Sequence, residues 1–305
     1  MRRDPVPVAG MSVLDRCRAT ARARAARVVF PEAGEPRVAE AIRVLRDGGL
    51  CVPVPVSDIT DAQVAALVEG RGVAEGVARR MLARPLIRAA AMVAAGEADA
   101  MVAGADTPTR RVIEAAGLAI GLAPGVALPS SFFLMILPDG REFVFADCAV
   151  NAYPDADALE AIALASAASS RALLGRAEVA LLSFSTGASG AGASIDMVAE
   201  VARRTGFTGP VQADAALNAT IAAKKGLGSG AANVLVFPSL DAGNIGYKLV
   251  QELAGAQALG PFLQGFARPV CDLSRGATVA DIVAATAVTL TLADEALMLP
   301  RTPAG

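Results

Sequence analysis

Near the C-terminus, the run Asp272-Leu-Ser-Arg-Gly-Ala-Thr-Val-Ala-Asp281 places a hydroxyl (Ser274), a guanidinium (Arg275) and a carboxylate (Asp281) around a glycine turn at the start of a helix. The orphan amides and dipole of a helix N-terminus favour negative charge, so Arg and Ser beside them suit a phosphate-like anion. The same spacing has a second reading. Thr278 with Asp281 three residues later is a capping box, which accounts for both residues without a ligand. Spacing alone leaves both open.

Composition narrows the chemistry. The chain contains no histidine, which excludes Ser-His-Asp and Cys-His catalysis and any histidine-built metal site. A general base must therefore be Asp, Glu, a perturbed Lys or Cys, or Tyr. The only lysines are Lys224, Lys225 and Lys248, so anion binding falls mainly on arginine and backbone amides. No cluster of acidic metal ligands is visible, and no metal is expected. Cys17, Cys51, Cys148 and Cys271 are widely spaced without a CxxC pair and read as buried thiols. A net charge of −2, with two Tyr and no Trp, lacks the footprint of a nucleic-acid binder.

Hydrophobic residues make up 54% of the chain, which raises the question of a membrane span. The longest uncharged run, 115–138, is broken by Gly117, Gly121, Pro124, Gly125 and Pro129, so it reads as helix end, loop and buried strand. Residues 1–26 carry arginines but no apolar signal-peptide core, which points to the cytoplasm. An Arg-rich amphipathic start also imitates an organelle presequence, but the helix over 11–26 leads straight into the first strand.

Other segments carry weaker signals. Thr186-Gly-Ala-Ser-Gly-Ala-Gly-Ala-Ser194 lies between a strand and a helix, as a phosphate-cradling loop does, yet it is neither a Walker A sequence nor GxGxxG. Gly226-Leu-Gly-Ser-Gly230 reads as loop. Glu32-Ala-Gly-Glu-Pro-Arg37 either contacts a ligand or starts a helix at Pro36. Asp214 and Asp241 follow strands, where α/β sheets place functional groups and also helix caps.

Short apolar runs alternate with Ala-rich helical patterns, the signature of a parallel α/β sheet. Strands are expected at 27–31, 51–56, 98–103, 178–184, 210–213 and 233–237. Helices are expected at 35–46, 61–69, 74–96, 107–119, 155–175, 194–205, 242–256 and 279–298. Segments 132–137 and 142–146 flank Pro-Asp-Gly-Arg and read as a β-hairpin. The Pro/Gly-rich stretches 124–129 and 260–269 read as crossings between domains.

Together these segments resemble the phosphate acetyltransferase and phosphate butyryltransferase family, the acetyltransferase branch more closely. The resemblance runs from Arg27 to about Ala293. It rests on Phe30-Pro-Glu-Ala-Gly-Glu-Pro-Arg37, Gly96-Glu-Ala-Asp-Ala-Met-Val-Ala-Gly-Ala105, Phe143-Val-Phe-Ala-Asp-Cys148 and Leu182-Ser-Phe-Ser-Thr186. It continues through Asp214-Ala-Ala216, Ala232-Asn-Val-Leu-Val-Phe-Pro-Ser-Leu-Asp-Ala-Gly-Asn-Ile-Gly-Tyr-Lys248, Gly260-Pro-Phe-Leu-Gln-Gly265 and Asp272-Leu-Ser-Arg-Gly276.

The resemblance implies an isocitrate/isopropylmalate dehydrogenase-like fold of two α/β domains with a central cleft. A discontinuous domain of 1–123 plus 268–305 would carry the Ser-Arg-Asp motif, with 124–267 inserted, in a homodimer. It implies acetyl-CoA/CoA and phosphate/acetyl phosphate as substrates, with coenzyme A a substrate and no further cofactor. It places catalysis on Asp281, Ser274 and Arg275, and substrate binding on Arg110, Arg71, Gly104, Asn244 and Tyr247.

One departure concerns Glu114, which stands where acetyltransferases carry a phosphate-binding Arg; Arg110, one turn earlier on the same helix face, is the candidate replacement. The loop 187–193 also lacks a lysine often found there. The competing readings are another short-chain acyl specificity, a metal-dependent dehydrogenase of the same fold, and a silent regulatory domain like those attached to some malic enzymes. The intact Ser274/Arg275/Asp281 set speaks against the last.

Overall fold

The computed structural model describes residues 11–298; the first ten residues of the segment read for a leader, and residues 299–305, lie outside them. The chain begins with α1 (Val13–Arg24), β1 (Arg27–Val29), α2 (Pro36–Asp47), β2 (Val52–Val54), α3 (Asp61–Arg71), α4 (Glu75–Leu82) and α5 (Pro85–Ala94). β3 (Ala100–Ala103), α6 (Thr109–Ala119), β4 (Ser130–Ile136), β5 (Glu142–Ala146), α7 (Ala156–Leu174), β6 (Val179–Leu182) and α8 (Ala193–Thr205) follow. The rest is β7 (Thr208–Val211), α9 (Ala213–Leu217), α10 (Ala219–Lys225), β8 (Val234–Val236), α11 (Leu240–Ala254), β9 (Gln257–Gln264), β10 (Val270–Asp272) and α12 (Val279–Met298).

Local chemistry sets the helix ends. Pro36 occupies the first turn of α2, and the Glu35 carboxylate accepts the Val38 amide at 2.9 Å. Asp155 caps α7 by accepting from Ala158 N at 2.9 Å, and Gly175 closes it at φ 72°. The single helix expected over 74–96 is two, α4 and α5. Arg84 is extended (φ −84°, ψ 121°) because Pro85 disfavours helical backbone in the residue before it.

The ten strands form one sheet in the order β2-β1-β3-β10-β9-β4-β5-β8-β6-β7. It is mixed, not parallel throughout. β2, β1, β3 and β10 run one way; β5, β8, β6 and β7 run the other. The antiparallel β9 and β4 join the two groups. The hairpin β4–β5 forms as expected, from Phe132↔Ala146 to Ile136↔Glu142.

β9 is the strand that sequence reasoning took for a crossing. Gly260-Pro261 interrupts it, and the register shift between Phe132 and Leu134 of β4 absorbs the interruption as a bulge, where a missing N–H is tolerated.

Helices cover both faces of the sheet. One buried cluster, containing Phe132, Phe262, Leu159 and Val288, lies under α1, α2, α7, α8 and α12; a second packs α3–α6, and a third lies beneath α9–α11. Among the described residues no helix is long and apolar enough to cross a membrane.

Candidate active site

Register brings two oppositely running strand ends to one level. Cys271 of β10 lies beside Phe262, Phe262 beside Phe132, and Phe132 beside Ala146 of β5. The loops after β10 and β5 therefore converge from opposite directions on the central pair β9–β4. There they bound a cleft of about 640 Å³. Ser274, Arg275 and Leu273 line it from one side, with Thr107, Thr109 and Arg110 at the start of α6. Cys148, Ala149, Asn244, Tyr247 and Lys248 line it from the other, with Phe133 and Pro261 between.

Two buried or half-buried carboxylates shape these loops. Glu32, after β1, accepts the amides of Gly104 (2.7 Å), Ala105 (2.8 Å) and Asp106 (3.1 Å). Asp147, after β5, accepts the amides of Ala149, Val150 and Asn151 at 3.0–3.2 Å, with the Ser131 hydroxyl and the Asn151 side chain. Carboxylates on several amides hold a loop in one conformation at little desolvation cost.

Arg37 welds two of the loops together. Its guanidinium donates to Arg275 O (2.8 Å), Ala277 O (2.8 Å) and Ala105 O (3.1 Å), and its Nε pairs with Glu35 at 2.7 Å. The hydrogen bond from Arg37 holds the Glu35 carboxyl below its ordinary range. The stretch 32–37 thus contacts the site's backbone, in addition to starting α2.

Five of the expected site residues meet in the cleft: Ser274, Arg275, Arg110, Asn244 and Tyr247. Ser274 Oγ accepts from Gly276 N at 3.3 Å, which orients the hydroxyl. Asn244 donates its amide to Cys148 O at 3.1 Å, tying α11 to the loop after β5. Tyr247 stacks on Phe133 with centroids 4.0 Å apart. Among the described residues Arg110, Arg275 and Lys248 have no ion-pair partner, and Asp241 is the one carboxylate lining the cleft. Three cations without a carboxylate partner around one cavity give it the charge that suits an anion.

The other expected residues stand elsewhere. Gly104 is buried at φ +106°; a Cβ there would meet Asp272 Oδ1 and lie 2.6 Å from Leu273 N, and its own amide is given to Glu32. It permits a close approach of strand ends. Arg71 is exposed at the end of α3 and donates to Leu118 O at 3.1 Å, outside the lining of the cleft.

Asp281 forms the capping box: Oδ2 accepts from Thr278 N (3.0 Å) and Thr278 Oγ1 (2.7 Å), while Oδ1 accepts from Gln257 Nε2 (3.1 Å). It is not in the lining. No ion pair joins Arg110 and Glu114 among the described residues, although the two stand one turn apart on α6.

Sequence reasoning offered the segment of Glu32 and Arg37 as ligand contact or helix start without a role for either residue, and passed over Asp147, Thr109, Lys248 and Asp272 as site residues. All but Thr109 sit inside the segments that carry the resemblance, so the signal was present but without a role attached.

The comparisons agree with this picture. The family model described as phosphate acetyl/butaryl transferase matches residues 55–290. A phosphate acetyltransferase of Paracoccus denitrificans is 40% identical over 313 residues, covering 92% of this chain and 98% of that protein. Another, from Nitrosomonas europaea, is 39% identical over 302 residues, covering 86% of this chain but 43% of its own length. The chain thus spans under half the length of some of the relatives it matches. A phosphotransacetylase structure from Streptococcus pyogenes superposes with a TM-score of 0.86 at 31% identity, covering 93% of this chain and 98% of that one. By family match and identity, this chain belongs to the phosphate acetyl/butaryl transferase family.

Proposed function

We propose that the chain interconverts acetyl-CoA and phosphate with acetyl phosphate and CoA by direct transfer. The observation that carries this reading is the convergence of Arg275, Arg110 and Lys248, none of them ion-paired among the described residues, on the cleft that Ser274 enters. Arg275 and Arg110, on one wall of the cleft, hold the phosphoryl group with Lys248 opposite, and Ser274 donates to the reacting carbonyl oxygen.

The thiolate of CoA attacks the acetyl carbonyl, the C–S bond forms, and the C–O bond to phosphate breaks with its electron pair leaving on phosphate. Asp281, at the start of α12 and outside the cleft lining, takes the thiol proton, so the CoA thiol must reach it there before the attack. For that, Oδ1 must exchange Gln257 for the thiol, a swap of one hydrogen bond near the start of β9. A thiol with pKa near 8.5 needs only modest help at neutral pH.

The proposal includes the finer readings of the sequence: a two-domain dehydrogenase-like division at about 123 and 268, a cytoplasmic homodimer, and turnover without metal. Phosphate-dependent release of free thiol from acetyl-CoA by the purified protein, in chelator, is the test. Absence of release, or release only with added magnesium, defeats it; a panel of acyl-CoA chain lengths sets the acyl specificity.

A further inference from the structure

Asp272 ends β10 two residues before Ser274, with 0% of its surface exposed. Its Oδ2 accepts the Thr109 hydroxyl at 2.6 Å, and Oδ1 has no hydrogen-bond partner. Oδ1 lies against Gly104, where no side chain fits. Thr109 is the first residue of α6 and precedes Arg110.

We propose that Asp272 is a positioning residue that fixes the first turn of α6, and so Arg110, against the Ser274–Arg275 loop, and that it works as the neutral acid. This rests on the acyltransferase reading of the cleft.

The surroundings dictate the neutral form. A buried carboxylate that receives one hydroxyl and no amide or cation is costly to ionise. The titratable groups around it offer no relief. Glu32, from the loop after β1, adds like charge. Cys271, beside it on β10, has its own thiol pushed up to about 12 by burial. β3 pairs Asp272 with Ala103, β9 sets Phe262 beside Cys271, and α12 brings the Thr289 hydroxyl to that thiol. Arg110 and Arg275 face the cleft. Burial first, then Glu32, raises the Asp272 carboxyl to about 7. Above that pH the new negative charge lies behind the anion site and opposes phosphate.

Two experiments separate this inference from the functional reading. The first needs no activity: Tm of wild type and Asp272→Asn across pH 5–9. The folded state keeps the proton to about 7, and the unfolded chain releases it near 3.9. The stabilising contribution is therefore full below the unfolded value and is lost as pH rises through about 7. The Tm of Asp272→Asn should gain on wild type between pH 5 and 8 and level off above. A constant difference overturns the neutral-acid assignment.

The second measures KM. Thr109→Val and Asp272→Ala should each raise the phosphate KM about fivefold or more with acetyl-CoA KM within about twofold, while Asp272→Asn restores it. The ratio of phosphate KM, wild type over Asp272→Asn, should climb from pH 6.5 to 8.5; phosphate's own ionisation cancels in that ratio. An unchanged phosphate KM in Thr109→Val overturns the positioning role. If no variant or wild type turns over, the functional reading fails while the Tm result still judges Asp272.

Discussion

Replacing Arg37 by Met keeps the aliphatic stem and removes the guanidinium that joins the loops at Ala105 and Arg275–Ala277. Three hydrogen bonds from a charged donor to loop carbonyls are lost, along with the pair to Glu35. The side chain is 34% exposed, so water competes and each bond is taken at the net worth of a neutral one. At about 1 kcal/mol each, the loops lose about 3 kcal/mol of mutual restraint. Each 1.4 kcal/mol is about tenfold, so the fraction of molecules with Ser274, Arg275 and Arg110 aligned falls by about 100-fold. The assay is kcat/KM for phosphate-dependent thiol release, with urea unfolding alongside. Expected are a drop of about 100-fold in kcat/KM and a stability loss of about 1–3 kcal/mol. Arg37→Lys should recover little, since one ammonium cannot fork to three carbonyls. If Arg37→Met loses stability as forecast but retains kcat/KM within about threefold, the bridge is not what aligns the site.

Three further outcomes are expected. Asp281→Asn retains part of the cap but cannot take the thiol proton, so kcat should fall about 10²–10⁴-fold with stability changed by about 1 kcal/mol or less; near-normal kcat would leave Asp281 as a cap alone. Arg110→Ala should raise the phosphate KM about tenfold and spare acetyl-CoA KM; equal phosphate KM in both proteins would put the anion on Arg275, Lys248 and backbone amides. Gly104→Ala, at φ +106° and with its Cβ 2.6 Å from Leu273 N, should cost about 2–4 kcal/mol in urea unfolding; wild-type stability would show that the strand ends have room to part.

Most elements were legible because their signals are local. Asp155 and Gly175 bracket α7, Pro36 opens α2, and the Pro-Asp-Gly-Arg turn joins β4 to β5. The failures have physical causes as well. β9 contains Gly260-Pro261, which reads as a break until β4 is seen to absorb it by a register shift. α9 and α10, of 5 and 7 residues, are too short to show a 3.6-residue period. The opposite direction of the two parallel groups depends on which strands pair, and no periodicity within a strand records that.

The site was legible in residue types and less so in roles. Ser274, Arg275, Arg110, Asn244 and Tyr247 meet in the cleft, yet the charges that hold its walls, Glu32, Arg37 and Asp147, carry the same side chains a catalyst uses. What separates a scaffold carboxylate from a reacting one is the donor it meets, and that donor comes from elsewhere in the chain: Arg37 acts on carbonyls 238 and 240 residues away. Asp281 stands between the two kinds. Thr278, three residues before it, occupies one oxygen, and Gln257, on a distant strand, occupies the other. The oxygen on Thr278 gives the helix its first turn, while the oxygen on Gln257 is held by one neutral amide at 3.1 Å, a bond worth about 1 kcal/mol net. A thiol is a weaker donor than the amide, so displacing Gln257 costs up to about that amount. In the proposed mechanism capping and proton transfer use different oxygens of Asp281, and the capping box orients the carboxylate offered to the thiol.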